Sequence, residues 1–237
     1  MEGSRCREGR SLRIRELAHT RPRSGAERIW VLLRREGWRV NRKRVRRLCR
    51  LEGLQLRMRV RRWKHIALHR GPAPRPAAPT ERWSMDFVHD ALADGLPLRV
   101  LTVVDQWSRR SPVLEVASSM SGQTVGATLD RVLTDGTVPR SITVDHGSEF
   151  MSRALEDWAF ARGVQLDFIR PGKIVENAFI EAFNGRLRDE CLNVHHFTSV
   201  EDARTKIEAW RIDYNARRPH SSLGHLTPNE FVAQRQA

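Results

Sequence analysis

A chain of 237 residues, 40% of them hydrophobic, holds one large domain or a small one beside a medium one, and is too apolar to be disordered. Lys and Arg number 42 against 28 Asp and Glu, a net charge of +14 that suits a protein meeting a polyanion, either nucleic acid or an anionic membrane surface. No apolar run approaches the roughly 18 to 20 residues of a membrane span, Met1–Arg10 lacks the apolar stretch of a signal peptide, and Cys6, Cys49 and Cys191 form no CxxC pair that would suggest a disulfide framework or a Cys-rich zinc site. The expectation is a soluble, intracellular protein with no membrane partner.

The charge is uneven. Residues 1–82 hold 25 Lys/Arg against 7 Asp/Glu, and residues 83–237 hold 17 against 21. The divide coincides with Gly71–Thr80, where four prolines forbid helix and favour an extended spacer. The expected organisation is a basic module over 1–70, a Pro-rich linker over 71–82, a core over 83–192 and a helical extension of that core over 193–237.

In the basic module, Ala26–Glu36 places Ile29, Leu32 and Leu33 on one helical face, with Gly37 as a stop. Asn41 is an N-cap for a second helix whose Val45, Leu48 and Cys49 recur at helical spacing up to Gly53. Its solvent face carries Arg42, Lys43, Arg44, Arg46, Arg47 and Arg50, which suits the second helix of a helix-turn-helix laid on DNA. The basic run from Arg57 to Lys64, with Trp63 interleaved, favours DNA contact over a merely solvated cationic surface. Arginine density of this kind predicts phosphate contact, not base reading.

From Trp83 the texture turns to strand. Trp83–His89, Arg99–Val104 and Pro112–Val116 predict an antiparallel meander, with Ala93-Asp94-Gly95 as a turn. A helix over Gln123–Leu133, a strand over Ser141–Val144, a helix capped by Ser152 and stopped at Gly163, and a strand over Val164–Ile169 follow. Helices are then expected over roughly 176–190, 199–214 and after Pro228. That element order is α/β: a ribonuclease-H-like core, a mixed five-stranded sheet with helices, behind a small all-α module.

Three carboxylates stand out. Asp86 sits inside the first apolar strand, where an unpartnered carboxylate costs several kcal/mol. Asp145 ends the fourth strand just before Gly147. Glu181 lies on a helix with Ile180, Phe183, Leu187 and Cys191 inward, and Asn177, Glu181, Asn184 and Arg188 in a polar stripe beside them. A strand centre, a neighbouring strand end and a crossing helix can gather three hard oxygen donors, a set that suits Mg2+ or Mn2+ and two-metal phosphoryl transfer. Each acid also has a plainer reading: a solvent-facing edge residue, a turn former, a surface glutamate.

These features resemble the second-frame (OrfB-type) transposases of the insertion-sequence-three family, whose DDE catalytic core is shared with retroviral integrases. Asp145 and Glu181 enclose 35 residues, the D-35-E spacing of that family, and Asp86 matches the first aspartate. Asn177–Cys191 looks like its third-carboxylate helix, and Tyr214–Leu223 followed by Thr227-Pro228 looks like its C-terminal signature. Val40–Val45 with Leu48 resembles the helix-turn-helix ahead of its core. The residue after the second aspartate departs from the family's usual Asn and is His146 here.

The resemblance implies a metal-dependent transposase that cleaves element ends and transfers strands, with two divalent ions, Mg2+ or Mn2+, held by Asp86, Asp145 and Glu181. It implies phosphate contact by Arg188, with Lys173 and Arg170 nearby. It further implies DNA as partner, both element ends and target, an upstream-frame helix-turn-helix subunit or fusion, a homo-oligomer assembled on DNA, and a bacterial cytoplasmic, nucleoid-associated setting. The alternatives are a truncated or inactive, non-catalytic DNA-binding remnant and a metal-dependent ribonuclease-H-like nuclease. His220, in the C-terminal signature, is expected to pack or hydrogen-bond, and Tyr214 to be a poor nucleophile.

Overall fold

A computed structural model describes residues 2–21, 23–56, 76–133, 138–169 and 177–236. The chain divides into two compact units, residues 1–70 and 71–237. Arg170, Lys173 and the run from Arg57 to Lys64 lie outside the described residues. None of the described helices is long and apolar enough to cross a membrane.

The described residues of the first unit form three helices: α1 (Glu2–Thr20), α2 (Ala26–Arg35) and α3 (Arg42–Leu51). The helix-turn-helix pair forms as the periodicity predicts. Ile29, Leu32 and Leu33 of α2 and Val45 and Cys49 of α3 are buried, and the Asn41 side chain caps α3 by accepting from the Lys43 N–H at 2.8 Å. The sequence did not announce α1. It closes the core by burying Ile14 and Leu17 against the apolar faces of α2 and α3. Trp30 pins the connection by donating its indole N–H to the Val40 carbonyl at 3.0 Å.

The second unit is built on one five-stranded sheet: β1 (Arg82–Ala91), β2 (Pro97–Asp105), β3 (Leu114–Ala117), β4 (Ser141–Val144) and β5 (Gln165–Phe168). The strand order is β3-β2-β1-β4-β5, with the β1–β2–β3 meander antiparallel and β4 and β5 added in parallel. Short β4 is buried at every position, as a strand covered on both faces requires. Its helices are α4 (Gly122–Asp130), α5 (Arg153–Arg162), α6 (Ala178–Glu190), α7 (Val200–Ala216) and α8 (Pro228–Gln236). The fourth helix ends earlier than the apolar pattern suggests: Val132 and Leu133 still pack on the core but past its last turn.

Strand alternation divides the core in two. Trp83, Met85, Leu101, Val103 and Ile142 face α4 and α5. Val88, Leu98, Val100 and Val104 face α6 and α7, meeting Ile180, Phe183, Leu187 and Ile207. The C-terminal signature belongs to this second layer. Asn215 donates to the Ser111 carbonyl at 2.8 Å and accepts from the Ser111 N–H at 2.9 Å, tying α7 to the loop between β2 and β3. Buried His220 packs edge-on against Tyr214, 4.6 Å between ring centres, with a ring nitrogen 3.3 Å from the Tyr214 carbonyl oxygen. Tyr214 itself is 1% exposed and burial raises its pKa, which disfavours the phenolate.

Candidate active site

β1 is the central strand, which removes the edge-residue reading of Asp86. Alternation turns Asp86 to the same face as Ser84 and Val88, toward α6, while Met85 and Phe87 take the other face. In the parallel β1–β4 pair Ser84 lies opposite Thr143. Two residues further along each chain come Asp86, midway along β1, and Asp145, just past the end of β4, so the register sets the two aspartates side by side on neighbouring strands, which run about 4.8 Å apart. Below them, buried Gln106 donates to Ser84 Oγ at 2.7 Å and Thr143 Oγ1 at 3.2 Å, holding the two strands in this alignment.

Asp145 leaves the sheet in a tight turn closed by its own side chain, which accepts from the Gly147 N–H at 2.9 Å. A Cβ at position 147 would meet the same carboxylate oxygen at 3.0 Å, so a larger residue there would press on the Asp145 side chain. Further along the loop Glu149 pairs with Arg99 of β2 at 2.6 Å, and Phe150 stacks on Phe87 at 5.0 Å. Glycine also governs the seat of α4: a Cβ on Gly122 would stand 1.7 Å from Ser152 Oγ.

Glu181 comes from the first turn of α6 and is exposed. The stripe beside it is oriented by packing: Ile180, Phe183, Leu187 and Cys191 are fully buried, and this rotates Asn184 down onto β1. Asn184 donates to Asp86 Oδ2 at 2.8 Å, and the Phe87 backbone N–H donates to Asp86 Oδ1 at 2.7 Å. Asn184 Oδ1 and Asn177 Oδ1 are buried with no partner among the described residues.

The electrostatics tie the three acids together. Burial, opposed by the Phe87 N–H and Asn184 hydrogen bonds and reinforced by the negative fields of Asp145 and Glu181, pushes Asp86 up to about 6. The three carboxylates therefore share one field. They do not yet form a closed ligand set: among the described residues no group of three His, Cys, Asp or Glu side chains is gathered tightly enough to hold an ion. The donor set itself, hard oxygens supported by a fixed amide, fits Mg2+ or Mn2+ and not a soft metal.

The cations predicted for DNA contact are placed as follows. Arg188 is exposed on α6, seven residues after Glu181, with Nη2 3.4 Å from the His89 carbonyl. On α3, Lys43, Arg46, Arg47 and Arg50 are exposed and Arg44 is half-buried. Arg42 is exposed but engaged, in an ion pair with Glu27 of α2. The sequence put Asn184 in the polar stripe without a role; its partner lies 98 residues away, which no spacing rule could supply.

A five-stranded mixed sheet of this order, with one acid on its central strand, one just past the end of the next strand and one on the helix laid across them, has the architecture of an integrase-type core. Comparison with known proteins agrees. Residues 76–174 and 162–228 match integrase core domain families, and residues 7–62 match an HTH-like domain. The chain is 46% identical over 225 residues to the 31.7 kDa protein of insertion element IS407 from Burkholderia multivorans, covering 95% of this chain and 81% of that one. It is 43% identical to the 39.2 kDa protein of IS476 from Xanthomonas euvesicatoria, covering 94% of this chain and 64% of the relative. It is 26% identical to the putative transposase InsK of IS150 from Escherichia coli, covering 94% and 82%. Among solved structures, the HTLV-2 integrase catalytic core domain superimposes with a TM-score of 0.53 at 16% identity, covering 66% of this chain and 99% of that one, and so shares the fold. The chain belongs to the integrase-core transposases of the IS3 type of insertion sequence, enzymes of the DDE polynucleotidyl transferase class.

Proposed function

We propose that Asp86, Asp145 and Glu181 are the catalytic carboxylates of this transposase and that together they bind two divalent ions, Mg2+ or Mn2+. The observation that carries the reading is geometric: the β1–β4 register sets Asp86 beside Asp145, and Asn184, one turn after Glu181 on α6, hydrogen-bonds Asp86 at 2.8 Å. Asp86, Asp145 and Glu181 would hold the ions, which would supply nucleophile activation and charge neutralisation at the leaving oxygen. Asn184 and the Phe87 N–H orient Asp86, the Asn184 bond fixing which oxygen faces the site. Water attacks the phosphodiester at an element end and frees a 3′-hydroxyl, which then attacks a target phosphodiester in line, one P–O bond forming as another breaks. Arg188 holds a DNA phosphate beside the carboxylates, joined by Lys173 and Arg170.

In this reading residues 1–70 grip DNA through Arg42, Lys43, Arg44, Arg46, Arg47 and Arg50, residues 71–82 link, residues 83–192 catalyse and residues 193–237 brace the core. The partners are element-end and target DNA, a further copy of the chain on that DNA, and an upstream-frame helix-turn-helix subunit or fusion. The setting is the bacterial cytoplasm, at the nucleoid.

Strand transfer with terminal inverted-repeat DNA and Mn2+ tests the assignment. Asp145→Asn and Glu181→Gln should abolish joining while leaving DNA binding intact. A wild-type chain that binds DNA yet neither cuts nor joins it makes this a DNA-binding remnant. Preferential cutting of RNA–DNA hybrid makes it a nuclease.

A further inference from the structure

Residues 105–110, where the chain leaves β2, touch the supports of all three acids. Asp105 folds this turn. Its Oδ1 accepts from the backbone N–H groups of Trp107 at 3.0 Å and Ser108 at 2.6 Å, and its Oδ2 accepts from the Thr80 N–H at 2.9 Å, just ahead of β1. Two side chains of the turn, Gln106 and Arg109, then reach different elements.

Gln106 serves the two aspartates. The register of β1 with β4 ends at Ser84 opposite Thr143. Beyond it Asp86 stays in the sheet opposite Thr102 of β2, while Asp145 has left β4. Strand pairing therefore does not set the gap between the two acids. The last tie before that gap is the Gln106 amide, whose two hydrogens go to Ser84 Oγ and Thr143 Oγ1. Gln106, Ser84 and Thr143 are 4%, 0% and 6% exposed, and buried polar groups of this kind are tolerated because they satisfy one another.

Arg109 serves the third acid. α4, α5 and α7 each begin on a serine whose hydroxyl caps the helix. α6 begins on Asn177, whose side chain makes no cap hydrogen bond and whose Oδ1 is buried without a partner among the described residues. Its first turn is gripped instead at Phe179, two residues before Glu181, with the Arg109 guanidinium carbon 4.0 Å from the ring centre. Arg109 Nη1 also donates to the Gln106 carbonyl oxygen, so both arms extend from one closed turn. The backbone of Arg109 has a φ of 64°, a left-handed conformation that glycine adopts freely and a long side chain adopts at a cost. What arginine supplies at this position is therefore its side chain.

We propose that Gln106 and Arg109 are positioning residues for metal binding: Gln106 sets the gap between Asp86 and Asp145, and Arg109 sets the place of Glu181 beside them. The proposal rests on the reading of the three acids as one metal site and adds to it what fixes their spacing.

Mn2+ binding to the full chain, followed by the electron paramagnetic resonance signal of the free ion, gives the affinity, and the metal-free Tm gives the stability separately. Gln106→Met keeps the bulk and removes the amide; Arg109→Gly relieves the backbone and removes the guanidinium. Each should raise the Mn2+ Kd about 10-fold or more. Phe179→Leu should match Arg109→Gly, and the two together should lose no more than either alone, since both break one contact. Arg109→Lys, which keeps a cation for the ring, should recover part of the affinity. Trp107 is the control: it lies on the same turn but meets Phe231 of α8 at 4.8 Å, so Trp107→Leu should lower Tm and leave the Mn2+ Kd unchanged. Wild-type Kd values for Gln106→Met and Arg109→Gly overturn the proposal even if their Tm falls. So does a Trp107→Leu protein that binds Mn2+ as weakly as they do, which makes the turn a general support of the fold. Glu181→Gln separates the two levels: wild-type affinity there removes the metal-site reading and this proposal with it, whereas lost affinity there beside wild-type affinity in the turn variants removes the positioning role alone.

Discussion

Asn184 Nδ2 donates to Asp86 Oδ2 at 2.8 Å, from a side chain that is 8% exposed. Its Oδ1 is left buried and unpartnered among the described residues, a cost of about 1–3 kcal/mol that the fold carries to keep an amide at this point. With the Phe87 N–H on the other oxygen, the carboxylate is aimed before anything binds. Asn184→Ala should therefore lower strand transfer by about 10–100-fold, the usual effect of removing a group that orients a metal ligand. It should also raise the Mn2+ concentration needed for half-maximal joining. A rate loss with an unchanged Mn2+ requirement would mean that Asn184 serves α6 packing alone.

Asp86 itself works against stability. Its folded pKa of about 6 lies above the unfolded value near 3.9, so protons are taken up on folding between about pH 4 and pH 6. The sign follows: stability falls as pH rises through that window, and the unfavourable contribution is fully present above it. Asp86→Asn removes the charge and keeps one of the two acceptor oxygens that Asn184 and the Phe87 N–H now use. In metal-free protein at pH 7 it should gain about 1–3 kcal/mol, an increase of several degrees in Tm, while abolishing strand transfer. Thermal unfolding at about pH 4 should show the two proteins converging, as the linkage relation requires. A destabilised Asp86→Asn at neutral pH would refute the account.

Much of this architecture is legible in the sequence because it is local. The alternation of β1 and β2, the Asn41 cap, the Ser152 cap and the inward stripe of α6 all follow from periodicity and end chemistry. The 35-residue spacing between Asp145 and Glu181 points to the two acids, and the β1–β4 register sets Asp86 beside Asp145. What escaped is non-local or weakly patterned. In α1, Ile14 and Leu17 are the buried apolar pair among many charged residues, too sparse a stripe to read as a helix. Asn215 finds Ser111 at a separation of 104 residues, and Arg99 finds Glu149 at 50; no spacing rule pairs them.

Arg99 straps the Asp145 loop to the sheet. It donates to Glu149 at 2.6 Å, both side chains are 19% exposed, and its guanidinium lies 4.4 Å from the centre of the Phe87 ring. The ion pair holds Glu149 below its usual carboxylate range, so the stability it contributes is present above the unfolded pKa and lost as pH falls through the lower folded value. Arg99→Ala leaves a partly buried carboxylate with the Ser148 hydroxyl but no cation beside it and should cost about 1–3 kcal/mol at pH 7. Denaturant unfolding should show that deficit shrinking as Glu149 becomes protonated below about pH 4. The exchange Arg99→Glu with Glu149→Arg should recover part of both stability and strand transfer. No recovery would mean that the loop needs Arg99 over Phe87, not the charge pair.

Arg218, in the C-terminal signature, makes the most buried ion pair described: Nε and Nη2 fork onto the two oxygens of Glu190 at 2.8 and 2.7 Å, with side chains 5% and 13% exposed. The same guanidinium lies 5.6 Å from the Tyr214 ring centre, and Tyr214 packs edge-on against Phe183 at 5.0 Å. The pair thus links the chain after α7 to the end of α6, whose first turn carries Glu181. Removing one partner breaks a buried, forked ion pair, so Arg218→Ala should cost about 3–5 kcal/mol. Arg218→Lys should remain defective, since an ammonium cannot form the two-pronged contact. Replacing both partners by apolar residues, Arg218→Met with Glu190→Leu, should restore most of the stability, because no charge is then left unpaired. Urea unfolding of the single and double variants decides the point. If the double variant is as unstable as Arg218→Ala, the fork itself, and not avoidance of a stranded charge, is what fixes α7 to α6.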